Sequence, residues 1–145
     1  MKKLIKNQHG FTLIEIMVVV VILGILAGIV VPRLLDEPEK ARRTTAATQI
    51  RSFEEALGIF KLDNGFFPST EQGLQALVEK PTIGRIPSRF KEGGYIKKIP
   101  LDPWGQPYLY LAPGAHGDYD LFSYGPDGES GGEGDDADIA NWNLD

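Results

Sequence analysis

Residues 11–31, FTLIEIMVVVVILGILAGIVV, hold one ionisable side chain, Glu15, in 21 positions. As a helix this run extends roughly 31 Å, the thickness of a bilayer's hydrocarbon core. An apolar run of that length predicts a membrane-inserted helix before anything else. Glu15 is the anomaly. An acidic residue at the centre of a membrane helix costs about 2.5–3.5 kcal/mol, so it calls for a partner or a function.

The flanks orient and bound the run. Lys2, Lys3 and Lys6 precede it with no acidic residue, which holds that end on the cytoplasmic side and sends the rest across. An ordinary secretory signal has an apolar region of about 7–15 residues followed by a small-residue cleavage site. Here Ala27-Gly28 leads only into further apolar residues, and Gly10 stands instead at the polar-to-apolar boundary. Gly24 and Gly28 form a small-xxx-small pair that permits close helix packing in membranes, although glycine is common there in any case. Pro32 removes a backbone donor and clashes with the carbonyl of Gly28, so a kink or local melting is expected.

Beyond the run the pattern is that of a small α+β head. Asp36-Glu37-Pro38-Glu39 reads as a helix start, with an acidic cap and proline in the first turn. Ile50, Phe53, Leu57 and Phe60 then fall on one helical stripe, the face a sheet must cover. Asn64-Gly65 supplies residues that tolerate positive φ at a helix end. Ser69 and Gln72 have capping-box spacing ahead of Leu74, Leu77 and Val78. Residues 80–98 mix glycine, proline and charge without periodicity and read as a loop. Trp104, between turn residues, reads as a packed aromatic. Residues 108–111, 119–123 and 139–142 read as three short strands, the first two joined by the turn residues 113–117. Three antiparallel strands on an amphipathic helix make one domain of the remaining chain.

Charge is unevenly spread. Residues 126–145 carry seven acidic groups and no Lys or Arg, leaving 15 basic and 13 acidic groups in the other 125 residues. No basic face suggests a nucleic-acid partner. Cysteine is absent, which excludes disulfides and thiol catalysis. Of the two histidines, His9 lies in the lysine-rich N-terminal stretch and His116 stands alone in a turn; no nucleophile–base pair or phosphate-binding glycine loop accompanies them, so an enzyme is not expected. The acidic stretch, GPDGESGGEGDDAD, buries nothing that would order it. Its carboxylates and glycine-loop carbonyls suit a hard cation with six to eight oxygen ligands, calcium before others, but they equally suit a solvated acidic loop. EF-hand spacing is absent.

Two resemblances make this specific. The lysine-rich leader, Gly10 and Phe11-Thr12-Leu13-Ile14-Glu15 resemble the class III signal of type IV pilins and pseudopilins. That likeness implies cleavage between Gly10 and Phe11 by a prepilin peptidase, N-methylation of Phe11, and Glu15 as the motif's assembly acid. Cleavage leaves a protonated amine on Phe11. In an apolar helical bundle a neighbour's amine is an available counter-charge for Glu15, and losing either member would leave a costly orphan. The plain alternative is that Glu15 snorkels to the nearby interface. Residues 61–81, KLDNGFFPSTEQGLQALVEKP, together with Gly93-Gly94-Tyr95-Ile96-Lys97-Lys98-Ile99-Pro100 and Asp102-Pro103-Trp104-Gly105, are similar to G-type major pseudopilins of type II secretion systems. Residues 124–128 and 136–142 resemble that family's calcium loop. Carried over, Asp127 and Asp136 supply side chains, Tyr124 and Asp135 supply carbonyls, Asp138 competes with Asp136, and Glu129 adds a carbonyl.

The family resemblance implies a pilin-like α+β fold divided into a leader (1–10), a transmembrane and filament-core segment (11–32) and a periplasmic head (33–145). It further implies a single-pass inner-membrane protein that polymerises into a helical homo-oligomer, with minor pseudopilins, an inner-membrane assembly platform and an outer-membrane secretin as partners. Such a filament drives folded proteins out through the secretin. The rival readings are a type IV major pilin, whose usual C-terminal disulfide is impossible here, a periplasmic enzyme or binding protein on an uncleaved anchor, and a minor pseudopilin.

Overall fold

The computed structural model describes residues 10–144, and for residues 30–37 the helical backbone alone. The leader lysines, His9 and the side chains of Pro32, Asp36 and Glu37 lie outside the described residues. The chain divides into two units, Met1–Pro38 and Glu39–Asp145. A single helix, α1 (Leu13–Asn64), contributes to both.

The helical backbone of α1 continues through Pro32 and Pro38, which corrects the expected melting at the first and the fresh helix start around the second. A proline removes one donor from a helix and leaves the other peptide groups their own partners, so the loss stays local. Asp36-Glu37-Pro38 carries start signals, but an already formed helix upstream makes a new nucleus unnecessary. The stop is where the sequence placed it. Gly65 adopts φ +81° and its N–H reaches the Lys61 carbonyl at 2.7 Å, an αL cap. The Asn64 amide also donates to the Phe60 carbonyl.

In the second unit the predicted stripe is the core. Ile50, Phe53, Leu57 and Phe60 are buried, joined by Ala46 and Ala56 on the same face. Against them pack Leu121, Ile139, Tyr108 and Tyr110, from β1 (Leu109–Leu111), β2 (Asp120–Ser123), β3 (Ile139–Ala140) and the residue preceding β1. The strands are antiparallel in the order β1-β2-β3, with Tyr110 opposite Leu121 and Ser123 opposite Ile139. The α+β class expected of the sequence is the architecture found. Phe53 meets Tyr108 and Phe60 meets Phe66 edge-on at 5.2 and 5.6 Å, the arrangement that opposes positive ring edge to negative face.

Ser69 and Gln72 make both bonds of a capping box, the Ser69 N–H to Gln72 Oε1 at 3.0 Å and the Gln72 N–H to Ser69 Oγ at 3.3 Å. What they open is only a short 3-10 turn, Leu74–Leu77, which buries Leu74, Ala76 and Leu77. Gln72 Nε2 donates onward to the carbonyls of Ile83 and Arg85. The Leu77 carbonyl accepts from Tyr95 and Ile96. The aperiodic loop 80–98 is therefore pinned from one small turn. Gly94, at φ +81°, has no substitute there: a Cβ would lie 2.4 Å from the Val78 carbonyl oxygen.

Two buried carboxylates fasten the sheet end to the loops around it. Asp102 accepts from the N–H groups of Trp104 and Gln106 through Oδ1 and from the Ser123 hydroxyl, at 2.6 Å, through Oδ2. Burial, with the Asp102 charge adding to it, pushes the Tyr108 hydroxyl well above its ordinary range; its proton goes to Gln49 Oε1. Asp120 organises the β1–β2 turn by accepting from the N–H groups of Ala115 and His116 and pairing with His116 Nδ1 at 3.0 Å. Burial pushes its carboxyl up, but these donors outweigh it and hold the group below its usual value. His116, alone in its turn by sequence, has partners in space: besides Asp120 it stacks flat on Trp142 at 3.8 Å.

Candidate functional site

Two places carry the sequence-derived candidates, the N-terminal end of α1 and the acidic loop. At the first, Thr12 and Glu15 cap the helix reciprocally. The Thr12 N–H points to Glu15 Oε2 at 3.4 Å, and the Glu15 N–H to Thr12 Oγ1 at 3.3 Å. The Ser/Thr-x-x-Glu/Gln spacing that predicts a capping box at Ser69 is present at Thr12 as well, where the charge of Glu15 dominates what the sequence conveys. A carboxylate at this position also faces the positive end of the helix dipole. Glu15 thus has a local, helix-starting role.

Around it no described residue of the same unit covers the apolar surface. Every described side chain from Phe11, 78% exposed, to Ile29, 55% exposed, faces outward. A Cβ added at Gly24 or Gly28 would meet nothing within 4 Å. Among the described residues no helix is long and apolar enough to cross a membrane; the described side chains of the run end at Ile29, short of Val31. An uncovered apolar surface on this scale marks a membrane or protein-interaction site.

The acidic loop leaves β2 through Tyr124, whose ring tilts against Phe122 at 5.5 Å. Asp127 Oδ1 accepts from the Glu129 N–H at 3.1 Å, and both side chains are exposed. Asp135 and Asp136 sit on a 3-10 turn, Gly134–Asp136, and are exposed as well. Asp138 differs. It and Gly131 exchange two bonds, Asp138 N–H to the Gly131 carbonyl and Gly131 N–H to Asp138 Oδ2, each 3.0 Å. Its second oxygen, Oδ1, is buried without a hydrogen-bond partner. Gly132 lies so close to the Asp136 carbonyl that a Cβ would stand 2.3 Å from the oxygen. The loop is also held from α1: Arg43 Nη1 donates to the carbonyls of Asp135 at 2.9 Å and Ala137 at 2.8 Å.

The described residues hold no group of three or more acidic or histidine side chains converged on one point. What they do present is one desolvated, unpartnered carboxylate oxygen beside a glycine-rich run of backbone carbonyls. An unpaired buried carboxylate oxygen is costly, and a hard cation that accepts carbonyl as well as carboxylate ligands would relieve it. The residues fit calcium. They favour Asp138 over the exposed Asp136 as the side-chain donor.

Comparison with known proteins bears on both places. Residues 33–142 match the family model described as type II secretion system (T2SS), protein G, and residues 5–31 match the prokaryotic N-terminal methylation motif. The chain is 58% identical over 144 residues to the type II secretion system core protein G of Vibrio cholerae, covering 99% of this chain and 97% of that protein. It is 56% identical over 137 residues to the core protein G of Pseudomonas aeruginosa, covering 94% and 96%. Among solved structures, the major pseudopilin from the type 2 secretion system of enterohaemorrhagic Escherichia coli superposes with a TM-score of 0.69 at 43% identity, covering 77% of this chain and 92% of that one.

Proposed function

The chain belongs to the type II secretion system protein G family, the major pseudopilins, and we infer from its geometry that its work is mechanical assembly. It is the structural subunit of the secretion pseudopilus, and no catalytic role is assigned to it. The observation that carries this reading is the apolar sleeve of α1, exposed from Phe11 to Ile29 and followed by a head with a core of its own. Such a sleeve has two stable environments, a bilayer and a bundle of like helices. Passage from the first to the second is polymerisation.

The residues at the helix start supply the register. Cleavage after Gly10 would free an amine on Phe11, and Glu15, whose side chain is hydrogen-bonded to the Thr12 N–H among the described contacts, is the carboxylate available to it in a neighbouring subunit. Before assembly the capping box satisfies Glu15; afterwards a neighbour's ammonium does so, while the apolar flanks pack. A misregistered subunit would bury both charges unpaired, which is penalised far more than correct pairing is rewarded. In this reading the protein sits in the inner membrane as a single pass with its head in the periplasm. Prepilin peptidase processes it, and an assembly platform, minor pseudopilins and a secretin work with it.

The acidic loop would hold calcium through the side chains of Asp138 and Asp127 and the carbonyls of Tyr124 and Asp135, with Asp136 and Glu129 as further candidate donors. When bound, calcium supplies the positive charge that offsets the loop's carboxylates and orders a segment with almost no apolar anchor.

In a strain deleted for this chain, a folded type II exoprotein is expected to accumulate in the periplasm and to reach the medium again when the chain is restored. Normal export in the deletion strain, with loss of surface pili or twitching instead, would point to a type IV pilin and overturn the reading.

A further inference from the structure

Arg43 is the one cation on α1 whose guanidinium bridges into the acidic loop among the described contacts. It is half-buried, and its Nη1 alone donates to two carbonyls, those of Asp135 and Ala137, more than ninety residues away in sequence. These carbonyls flank Asp136, and that of Ala137 immediately precedes Asp138, whose Oδ1 is buried and unpartnered. From the other side Asn143 Nδ2 donates to the Asp138 carbonyl at 3.1 Å. The segment 135–138 is therefore fixed to α1 at two carbonyls and to the C-terminal turn at a third. Apart from the Gly125 N–H to Ser123 Oγ at its entry, the other described hydrogen bonds of the loop are internal, as in the Gly131–Asp138 pair and the Asp127–Glu129 turn.

We propose that Arg43 is the positioning residue of the calcium loop: by clamping the Asp135 and Ala137 carbonyls to α1 it sets where Asp138 Oδ1 points and so sets calcium affinity. The proposal rests on the calcium reading given above. A carbonyl oxygen has two lone pairs, so Asp135 can accept from Arg43 and still face a cation. Without the clamp, a glycine-rich segment would have to be ordered by the ion itself, and that entropy would be subtracted from binding. The guanidinium's charge acts in the opposite direction, repelling the ion. At this half-buried position solvent screens that repulsion only in part, and against it stand two hydrogen bonds that are charge-assisted and geometrically fixed. Positioning wins.

Isothermal titration of calcium chloride into the full chain in detergent micelles tests this, with melting in chelator recorded on the same samples. Arg43→Met is expected to raise the calcium Kd by about 10- to 100-fold, as loss of groups that orient metal ligands does. Arg43→Lys, charged but with a shorter, non-planar donor, should fall between Met and wild type. Arg51→Met, which removes the parallel bond from α1 to the Leu144 carbonyl, should leave Kd unchanged. A merely structural Arg43 would lower melting in chelator and leave Kd alone, and that result overturns the proposal. So does a tighter Kd in Arg43→Met, which would make Arg43 a competitor of the ion. Should the Met variant fail to fold, a wild-type Kd in Arg43→Lys is equally fatal. If the wild-type chain itself takes up no calcium, the calcium reading falls first and this proposal with it.

Discussion

Glu15→Ala is expected to leave the chain inserted in the membrane and to abolish its assembly into filaments. Insertion becomes easier, since an acidic residue in a membrane helix costs up to about 2.5–3.5 kcal/mol. Assembly becomes harder because the ammonium on a neighbour's Phe11 is then buried without a counter-charge. Breaking one member of a buried pair costs roughly 3–5 kcal/mol, a factor of about a hundred to a few thousand at every subunit junction. The capping box adds a complication that a second variant resolves. Glu15 also closes the first turn with Thr12, and losing a cap costs about 0.5–2 kcal/mol by itself. Glu15→Gln keeps an oxygen for the Thr12 N–H but has no charge. If pairing governs assembly, Gln fails as Ala does; if the cap governs it, Gln restores filaments. The measurement is shear-released filament yield beside membrane-fraction yield. Unchanged filaments in both variants would end the pairing role.

Chelation is expected to destabilise the head by the full free energy of ion binding. At calcium a hundredfold above Kd, binding stabilises the folded state by about 2.7 kcal/mol, which for a domain of this size moves the melting temperature by roughly 10 °C. Asp138→Asn should remove most of that shift while keeping an oxygen for the Gly131 N–H, because the unpartnered Oδ1 is the atom that gains most from the ion. Asp136→Asn, at an exposed side chain, should matter less. Calorimetric melting of the full chain in detergent, with calcium or with chelator, reads all of these. Coincident transitions for the wild-type chain would defeat the site.

What local pattern could convey, the sequence conveyed. The apolar run, the Ile50–Phe53–Leu57–Phe60 stripe, the Gly65 stop and the Ser69–Gln72 box each lie within a few residues of one another, and each is found in the structure. The three strands were legible too, though each is shorter than its alternation suggested, since pairing ends where the partner strand does. The Thr12–Glu15 box is equally local, but a carboxylate in an apolar run reads first as a cost to membrane insertion and only then as a cap. The prolines misled for a different reason: they report a cost to a helix, and a helix of 52 residues absorbs a local cost. Arg43 was beyond reach. Its partners are carbonyls 92 and 94 residues away, and no side-chain pattern marks which backbone oxygen a distant guanidinium will meet. The same holds for Asp102, which reads as a turn residue and is the buried acceptor joining the Trp104 turn to Ser123.

Everything said of assembly depends on a free, positive α-amine at Phe11. N-terminal peptide mass spectrometry of the chain recovered from its own membranes reads that group outright. A mature chain that begins at Phe11 and carries one added methyl group is the expected result. A chain that still begins at Met1, or that has been cut beyond the apolar run, would contradict it, since neither could offer Glu15 its partner.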